Sequence, residues 1–362
     1  MNNRIYLDIH AIQTVPPSNI NRDDTGSPKT AQYGGVRRAR VSSQSWKRAI
    51  RNYFVEHSEG KNVGVRSLNI VDYIAKKIEA LDETIDPQEA HKKANDILNK
   101  AGVKTAKDKN TDTFRVKALF FIGDTQAQKL AQAAVDGVED KKILQDYLKE
   151  NPAIDIALFG RMVADDPSLN EDASSQVAHA ISTHAVQTEF DFFTALDDLA
   201  PEDNAGAGML GTIEYNSSTL YRYANVAVHE LYHQLGDDVK ATTNALQLFI
   251  EAFSNSLPTG KVNTFANQTL PQAILVSLRT DRPVNLVSAF EKPVRSTDGY
   301  VDASIQALYQ EYHAVGKFVE APKATLCLAK EVEQGQPIGQ KEENLQSLIQ
   351  DFGEKLESLL TE

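Results

Sequence analysis

RIYLDIHAIQTV at residues 4–15, followed after a polar loop by SSQSWKRAIRNYF at residues 42–54, is the stretch whose reading decides the fold. The first block alternates apolar and polar positions as a strand does, and Pro16-Pro17 is expected to end it. In the second, Ser42 or Ser43 is a candidate N-cap, and Trp46, Ala49, Ile50, Tyr53 and Phe54 recur at helical spacing. The other helix face carries Gln44, Lys47, Arg48 and Arg51. Further along, QVAHAISTHAV (176–186) and TLYRYANVAV (219–228) alternate, DDVKATTNALQLFIEAF (237–253) is an amphipathic helix, and QAILVSLR (272–279) is a strand. Residues 63–152 are mainly helical, punctuated by Asp86-Pro87 as N-cap and N1 and by Gly102 and Gly137 as helix ends. With that stretch set aside, the order is strand, helix, strand, strand, helix, strand. This predicts an α+β protein with a ferredoxin-like sheet, as in RNA-recognition modules, and a large helical insertion. Residues 190–218, rich in small and turn-forming residues, read as an extended β-hairpin arm.

The 362 residues are 41% hydrophobic and 24% charged, which excludes a largely disordered chain. No apolar run reaches the roughly 20 residues of a membrane span, and the N-terminus lacks a secretory signal, so a soluble cytoplasmic protein is expected. The single cysteine, Cys327, rules out a disulfide framework or a cysteine-only zinc site. The net charge of −12 speaks against nucleic acid at first sight. Its distribution reverses that inference. Residues 1–51 hold nine basic side chains against three acids, whereas residues 331–362 hold eight acids and two lysines. Arg22, Lys29, Arg37, Arg38 and Arg40, leading into Gln44, Lys47, Arg48 and Arg51, form a candidate track for successive phosphates, to which Ser42 and Gln44 add neutral donors. Met162, after Gly160-Arg161, and Phe192-Phe193, at the root of the arm, are candidate wedges between bases.

Several enzyme-like matches are weaker. His229-Glu230-Leu231-Tyr232-His233 spells HExxH, but the third-ligand position of the longer pattern is Val239, and the motif is expected to continue a strand. Gly206-Ala-Gly208-Met-Leu-Gly211 fits GxGxxG without the flanking strand and helix, and reads as a hairpin tip. Asp24-Thr25-Gly26-Ser27 lacks the apolar strand and second carboxylate of an aspartic protease. A metal-dependent hydrolase, with zinc at His229 and His233 or RNA cleavage by Asp23 or Asp24, is the competing functional class.

The blocks NRDD (21–24), YGGVRRARVSSQSWKRAIR (33–51), DIALFGRM (155–162), AHAISTHAV (178–186), DFFTALDDL (191–199), LGTIEYNSSTLYRYANV (210–226), SAFEKPV (288–294) and SIQALYQEY (304–312) together resemble the CasC family. These are the backbone subunits of the type I-E CRISPR surveillance complex, Cascade. The resemblance implies a right-hand-like protein: a palm at residues 1–58, 176–188 and 220–362, helical fingers at 59–175 and a hairpin thumb at 189–219. It implies a non-catalytic role in antiviral defence without cofactor or metal, in which copies stack head to tail along one crRNA and present it to double-stranded target DNA. Implied partners are the large and small subunits, the crRNA-processing endoribonuclease and the subunit that binds the 5′ handle. The resemblance assigns RNA contacts to Arg22, Lys29, Arg38, Arg40, Ser42, Gln44, Lys47, Arg48, Arg51, Arg161, Met162, Phe193, Thr194 and Leu210. DNA contacts fall to Lys141 and Lys142. Related RNA-targeting subunits cut with an aspartate in the loop that Asp23 and Asp24 occupy.

Overall fold

In the computed structural model, which describes residues 4–57, 62–108, 113–195, 209–330 and 338–362, the first strand, β1 (Tyr6–Ser18), lies at the centre of a mixed sheet. It runs through Pro16-Pro17 instead of stopping there; a register shift between Val15 and Ser18 accommodates the missing amide donors. The following loop is more ordered than its polarity suggests. It contains a hairpin, β2 (Thr30–Tyr33) and β3 (Val36–Val41), turned at Gly34-Gly35 with both φ values positive, and then α1 (Ser43–His57).

The insertion comprises β4 (Gly64–Ser67), α2 (Ile70–Leu81), α3 (Pro87–Lys100), β5 (Thr105–Lys107), β6 (Phe114–Val116), β7 (Phe120–Gly123), α4 (Asp124–Asp136), α5 (Lys141–Lys149) and α6 (Ile154–Phe159). Asp86 caps α3 by accepting from the amides of Gln88 and Glu89, and Gly137 ends α4 in the left-handed conformation. The chain returns through β8 (Ser175–Val177) and β9 (Ala180–Ser182) to the arm, β10 (Glu189–Ala195) and β11 (Met209–Ala227). It finishes with α7 (Val228–Gln234), α8 (Val239–Asn255), α9 (Val262–Phe265), β12 (Ala273–Arg279), α10 (Val301–Val315), β13 (Ala324–Ala329), β14 (Gln340–Lys341) and α11 (Leu345–Thr361).

The sheet order is β14-β13-β12-β1-β11-β9-β3-β2, with β8 and β10 also paired to β11. Its centre, β12-β1-β11-β9, is the ferredoxin-like arrangement. Alternation along β1 sends Leu7, Ile9 and Ala11 to one face, against Ile50 and Phe54 of α1, Phe249 and Phe253 of α8, and Phe352 of α11. Ile12 faces the other side, where Leu275, Leu286, Phe290, Ile305 and Leu308 cover the sheet. Arg222 of β11 helps to fix α1 against α8: its guanidinium is fully buried, 3.7 Å from the Trp46 ring centre and 4.2 Å from that of Phe253. It donates to Gln13 Oε1 and the Phe253 carbonyl, and burial lowers its pKa to about 9.

A second core, running from Ile70 to Leu169 and built on α2, α3, α4 and α5, belongs to the insertion. The arm is a ladder from Glu189↔Tyr215 to Ala195↔Met209. Its end, including Gly206 and Gly208 of the GxGxxG match, lies outside the described residues. No helix among the described residues is long and apolar enough to cross a membrane.

Candidate nucleic-acid interface

The segment from β1 to α1 is positioned by short-range hydrogen bonds. Asn19 donates from one side-chain nitrogen to the carbonyls of Gly26 and Glu214, tying the loop to the arm. Asp23 Oδ1 accepts from the amides of Thr25 and Ser27 and from the Thr25 hydroxyl, and these bonds, the hydroxyl first, hold its pKa below the usual carboxylate value. Ser42 Oγ accepts from the Ser45 amide, so the hydroxyl caps α1 and is nearly buried.

The basic side chains separate into two sets. Arg38 has no exposed surface: its guanidinium donates to the carbonyls of Tyr33, Ser182, Phe290 and Glu291, and burial lowers its pKa. Arg161 donates to the carbonyls of Leu169, Phe121 and Leu148 and to Gln126 Oε1, with its pKa lowered by burial to about 10. Arg51 Nε lies 3.0 Å from Asp155 Oδ2, Nη2 donates to the Gly64 carbonyl, and the guanidinium sits 4.3 Å from the Phe121 ring centre. Burial raises the Asp155 pKa while Arg51 opposes the rise. The family resemblance assigns all three to RNA contact. The donors of Arg38 and Arg161 are engaged within the protein, and Arg51 clamps α1 to the insertion.

Intermediate cases are Arg40, which donates to the Thr30 carbonyl and lies 3.1 Å from His179 Nδ1, and Lys47, 5.5 Å from the Phe159 ring centre with its pKa lowered by burial. Arg22 and Arg48 are exposed and Lys29 half-buried, and no ion pair among the described residues engages them. Gln44 is exposed beside them. The open track is therefore Arg22, Lys29, Gln44 and Arg48, flanked by Arg40 and Lys47.

Anchoring of Arg161 has a consequence one residue on. Gly160 has a positive φ of 78° with an extended ψ, the Arg161 backbone pairs with Glu171, and Met162 projects with 85% of its surface exposed. On the arm, Phe190 and Phe192 share one exposed face with Thr194, while Phe193 is half-buried on the other. A Cβ at Gly211 would collide with the Phe193 ring, so that glycine serves close packing within the arm. Leu210 pairs with Thr194 in the ladder; its side chain lies outside the described residues. In the insertion, Lys141 and Lys142 are both exposed at the start of α5, capped by Asp140; Lys141 Nζ is 3.4 Å from Asp166 Oδ2.

His229 and His233 lie on α7, a helix and not the strand continuation expected, because β11 ends at Ala227. His229 Nδ1 is 3.0 Å from the Ile5 carbonyl and its ring stands edge-on to Tyr6, while His233 Nδ1 is 2.6 Å from Asp237 Oδ1. Among the described residues no group of three or more histidine, cysteine or acidic side chains is placed to hold a metal ion.

A groove of about 880 Å³ opens beside the basic segment, between the Arg22 loop, the Arg48 face of α1 and residues 255–268. Lys261 lies on that third wall. The sequence reading missed it because it stands alone, far along the chain from the N-terminal cluster; the only local signal is Pro258-Thr259-Gly260, a loop signature without chemistry.

Comparison with known proteins places this architecture. The CT1975-like protein family matches residues 7–354. No curated protein sequence matches. Among solved structures, a chain of a "CRISPR RNA-guided surveillance complex, pre-nicking" is 32% identical, with a TM-score of 0.88 over 97% of this chain and 100% of that one. A chain of another "CRISPR RNA-guided surveillance complex" is 28% identical, with a TM-score of 0.76 over 96% of this chain and 99% of that one. Matched almost from end to end, with its sheet, insertion and arm in one order, the chain belongs to the CT1975-like protein family.

Proposed function

We propose that this chain is a non-enzymatic, guide-RNA-binding backbone subunit of a CRISPR surveillance complex that acts in the cytoplasm. The observation that carries the reading is the set of cations without an ion pair among the described residues, Arg22, Lys29 and Arg48, at the arm end of a fold shared over 97% of the chain with a chain of such a complex. Phosphates along a single strand need cations that are free to meet them, and these side chains make no ion pair among the described residues. Copies stack head to tail along the RNA, the arm and Met162 touch bases, and pairing between guide and target DNA supplies the sequence specificity. Lys141 and Lys142 lie on a surface suited to the phosphates of target DNA. The sequence blocks at residues 33–51 and 210–226 favour type I-E, with the large, small, RNA-processing and 5′-handle-binding subunits as partners. A hydrolase reading finds little support: Asp23 is committed to its own turn, and both histidines of HELYH are held by protein acceptors.

The test is native purification of the assembly. A short RNA of uniform length should co-elute with the chain, and guide-complementary RNA should survive incubation with it and magnesium. A particle free of nucleic acid would overturn the reading; cleavage that Asp24→Asn abolishes would establish the hydrolase instead.

A further inference from the structure

Asp8 and His10 lie on the face of β1 opposite α1, and Ser277 and Arg279 of the paired strand β12 share that face. They floor a cavity of about 210 Å³, walled by Val284, Leu286, Tyr312, Val315, Val319 and Pro322. Its rim is tied down. The Glu320 amide donates to Asp281 Oδ2, Arg279 Nη2 donates to the Glu320 carbonyl, and the Lys323 amide donates to the Leu278 carbonyl. The space is therefore preformed.

Two nearly buried side chains on this floor are only partly satisfied. The Tyr221 hydroxyl donates to Asn285 Oδ1, which also accepts from the Val287 amide, so the Tyr221 oxygen accepts from the Leu286 amide and from His10 Nδ1. His10 thus carries its proton on Nδ1, and burial, aided by the charge of Arg279, lowers its pKa to about 3 and keeps it neutral. Its Nε2, a lone-pair acceptor on a residue 2% exposed, has no hydrogen-bond partner among the described residues. In Arg279, 4% exposed, Nε and Nη2 hold Asp281 and the carbonyls of Arg282 and Glu320, whereas Nη1 has no partner among the described residues. Both atoms retain accessible surface, unlike the sealed and unpaired Nε1 of Trp46. The neighbouring polar groups are engaged: Asp8 with the Tyr223 hydroxyl and the Val284 amide, Ser277 with Thr325.

An unpaired acceptor and an unpaired donor in one largely apolar cavity define a ligand with the complementary groups. Charge narrows the class. Arg279, the one arginine or lysine in the lining, is already balanced by Asp281; an anion would meet Asp8 and Glu320, and a cation would meet Arg279. A ring that carries donor and acceptor on a rigid frame loses the least entropy on binding. We infer that the cavity binds a small neutral nitrogen heterocycle, its carbonyl accepting from Arg279 Nη1 and its N–H donating to His10 Nε2, the chemistry of a free oxopyrimidine or oxopurine base. The site lies across the sheet from α1 and its basic track, and it does not rest on the proposed RNA contacts.

The test is calorimetric titration of the full chain with uracil and with its N1,N3-dimethyl derivative, which keeps both carbonyls and has no N–H. Uracil should bind saturably and about five-fold more tightly than the dimethyl compound, the worth of one hydrogen bond. His10→Phe keeps a ring stacked on Tyr223 and should erase that difference. Val319→Trp fills the cavity from its rim and should abolish binding of uracil at an unchanged melting temperature. The inference is overturned if the parent binds neither compound, if it binds both alike, or if Val319→Trp leaves uracil binding intact. Displacement of uracil by single-stranded oligoadenylate would assign the cavity to the guide strand; that result overturns the inference and leaves the RNA-binding function standing.

Discussion

At the junction of the sheet domain with the helical insertion, arginines are fully committed: Arg51 to Asp155, the Gly64 carbonyl and Phe121, and Arg161 to three carbonyls and Gln126. At the arm end of the same sheet, Arg22, Lys29 and Arg48 have no ion pair among the described residues. Both regions are basic and adjoin α1. A buried guanidinium costs free energy unless its donors are paired, so the junction must supply acceptors, and these hold Arg51 and Arg161. An exposed cation carries no such requirement and remains available. Residue type and charge are the same in the two regions; the number of protein partners separates a structural cation from a binding one.

The largest effect should come from the junction and its counterpart Arg38. Arg51→Ala leaves the Asp155 carboxylate buried without its cation, at a cost of roughly 3–5 kcal/mol, and should lower the melting temperature by ~5 °C or more. An unchanged melting temperature would break the comparison. Arg38→Ala should behave similarly, because it strands several buried carbonyls, and any loss of RNA binding should follow loss of folded protein.

A second buried charge sets a pH dependence. Burial raises the Asp8 pKa from 3.8 to about 6, against the hydrogen bond from Tyr223 and the charge of Arg279. The folded protein therefore holds a proton that the unfolded chain releases between pH 4 and pH 6. This contribution is fully present below pH 4 and is lost as pH rises through 6, a change of about 3 kcal/mol. Denaturant titrations of Asp8→Asn should show a smaller decline across this interval than the parent, and parallel curves would contradict the assignment.

The open region should respond in the opposite way. Arg22→Ala, Lys29→Ala and Arg48→Ala should each leave the melting temperature within about 1 °C and lower the salt slope of RNA binding by about 0.7. The smallest effect belongs to the arm: Phe192→Ala should cost about 1 kcal/mol of RNA binding with no change in stability, and a stability loss instead would place the ring in a core.

Much of this was legible in the residues. Alternation and helical spacing located the central strands and α1 and α8, because each buries one face. Caps such as Asp86 and Gly137 marked ends that local backbone chemistry determines. Local reading reaches its limit where distant partners decide. Nothing near Arg38 announces that Ser182 and Phe290 will surround it, and nothing near His229 announces that the Ile5 carbonyl will lie beside its ring. The same limit concealed Lys261, which acquires meaning only when residues 255–268 fold against the Arg22 loop. Pro16-Pro17 misled for a different reason: the β12 ladder ends at Ile12, and beyond it β1 pairs with β11 alone through a shift in register that tolerates the missing donors.

The most direct measurement is the salt dependence of single-stranded RNA binding by the parent chain and by the combined Arg22→Ala, Lys29→Ala, Arg48→Ala variant, with thermal melting of both. A slope smaller by about 2 at an unchanged melting temperature is the expected result. An unchanged slope, or a parent that binds no RNA at low salt, would contradict the account.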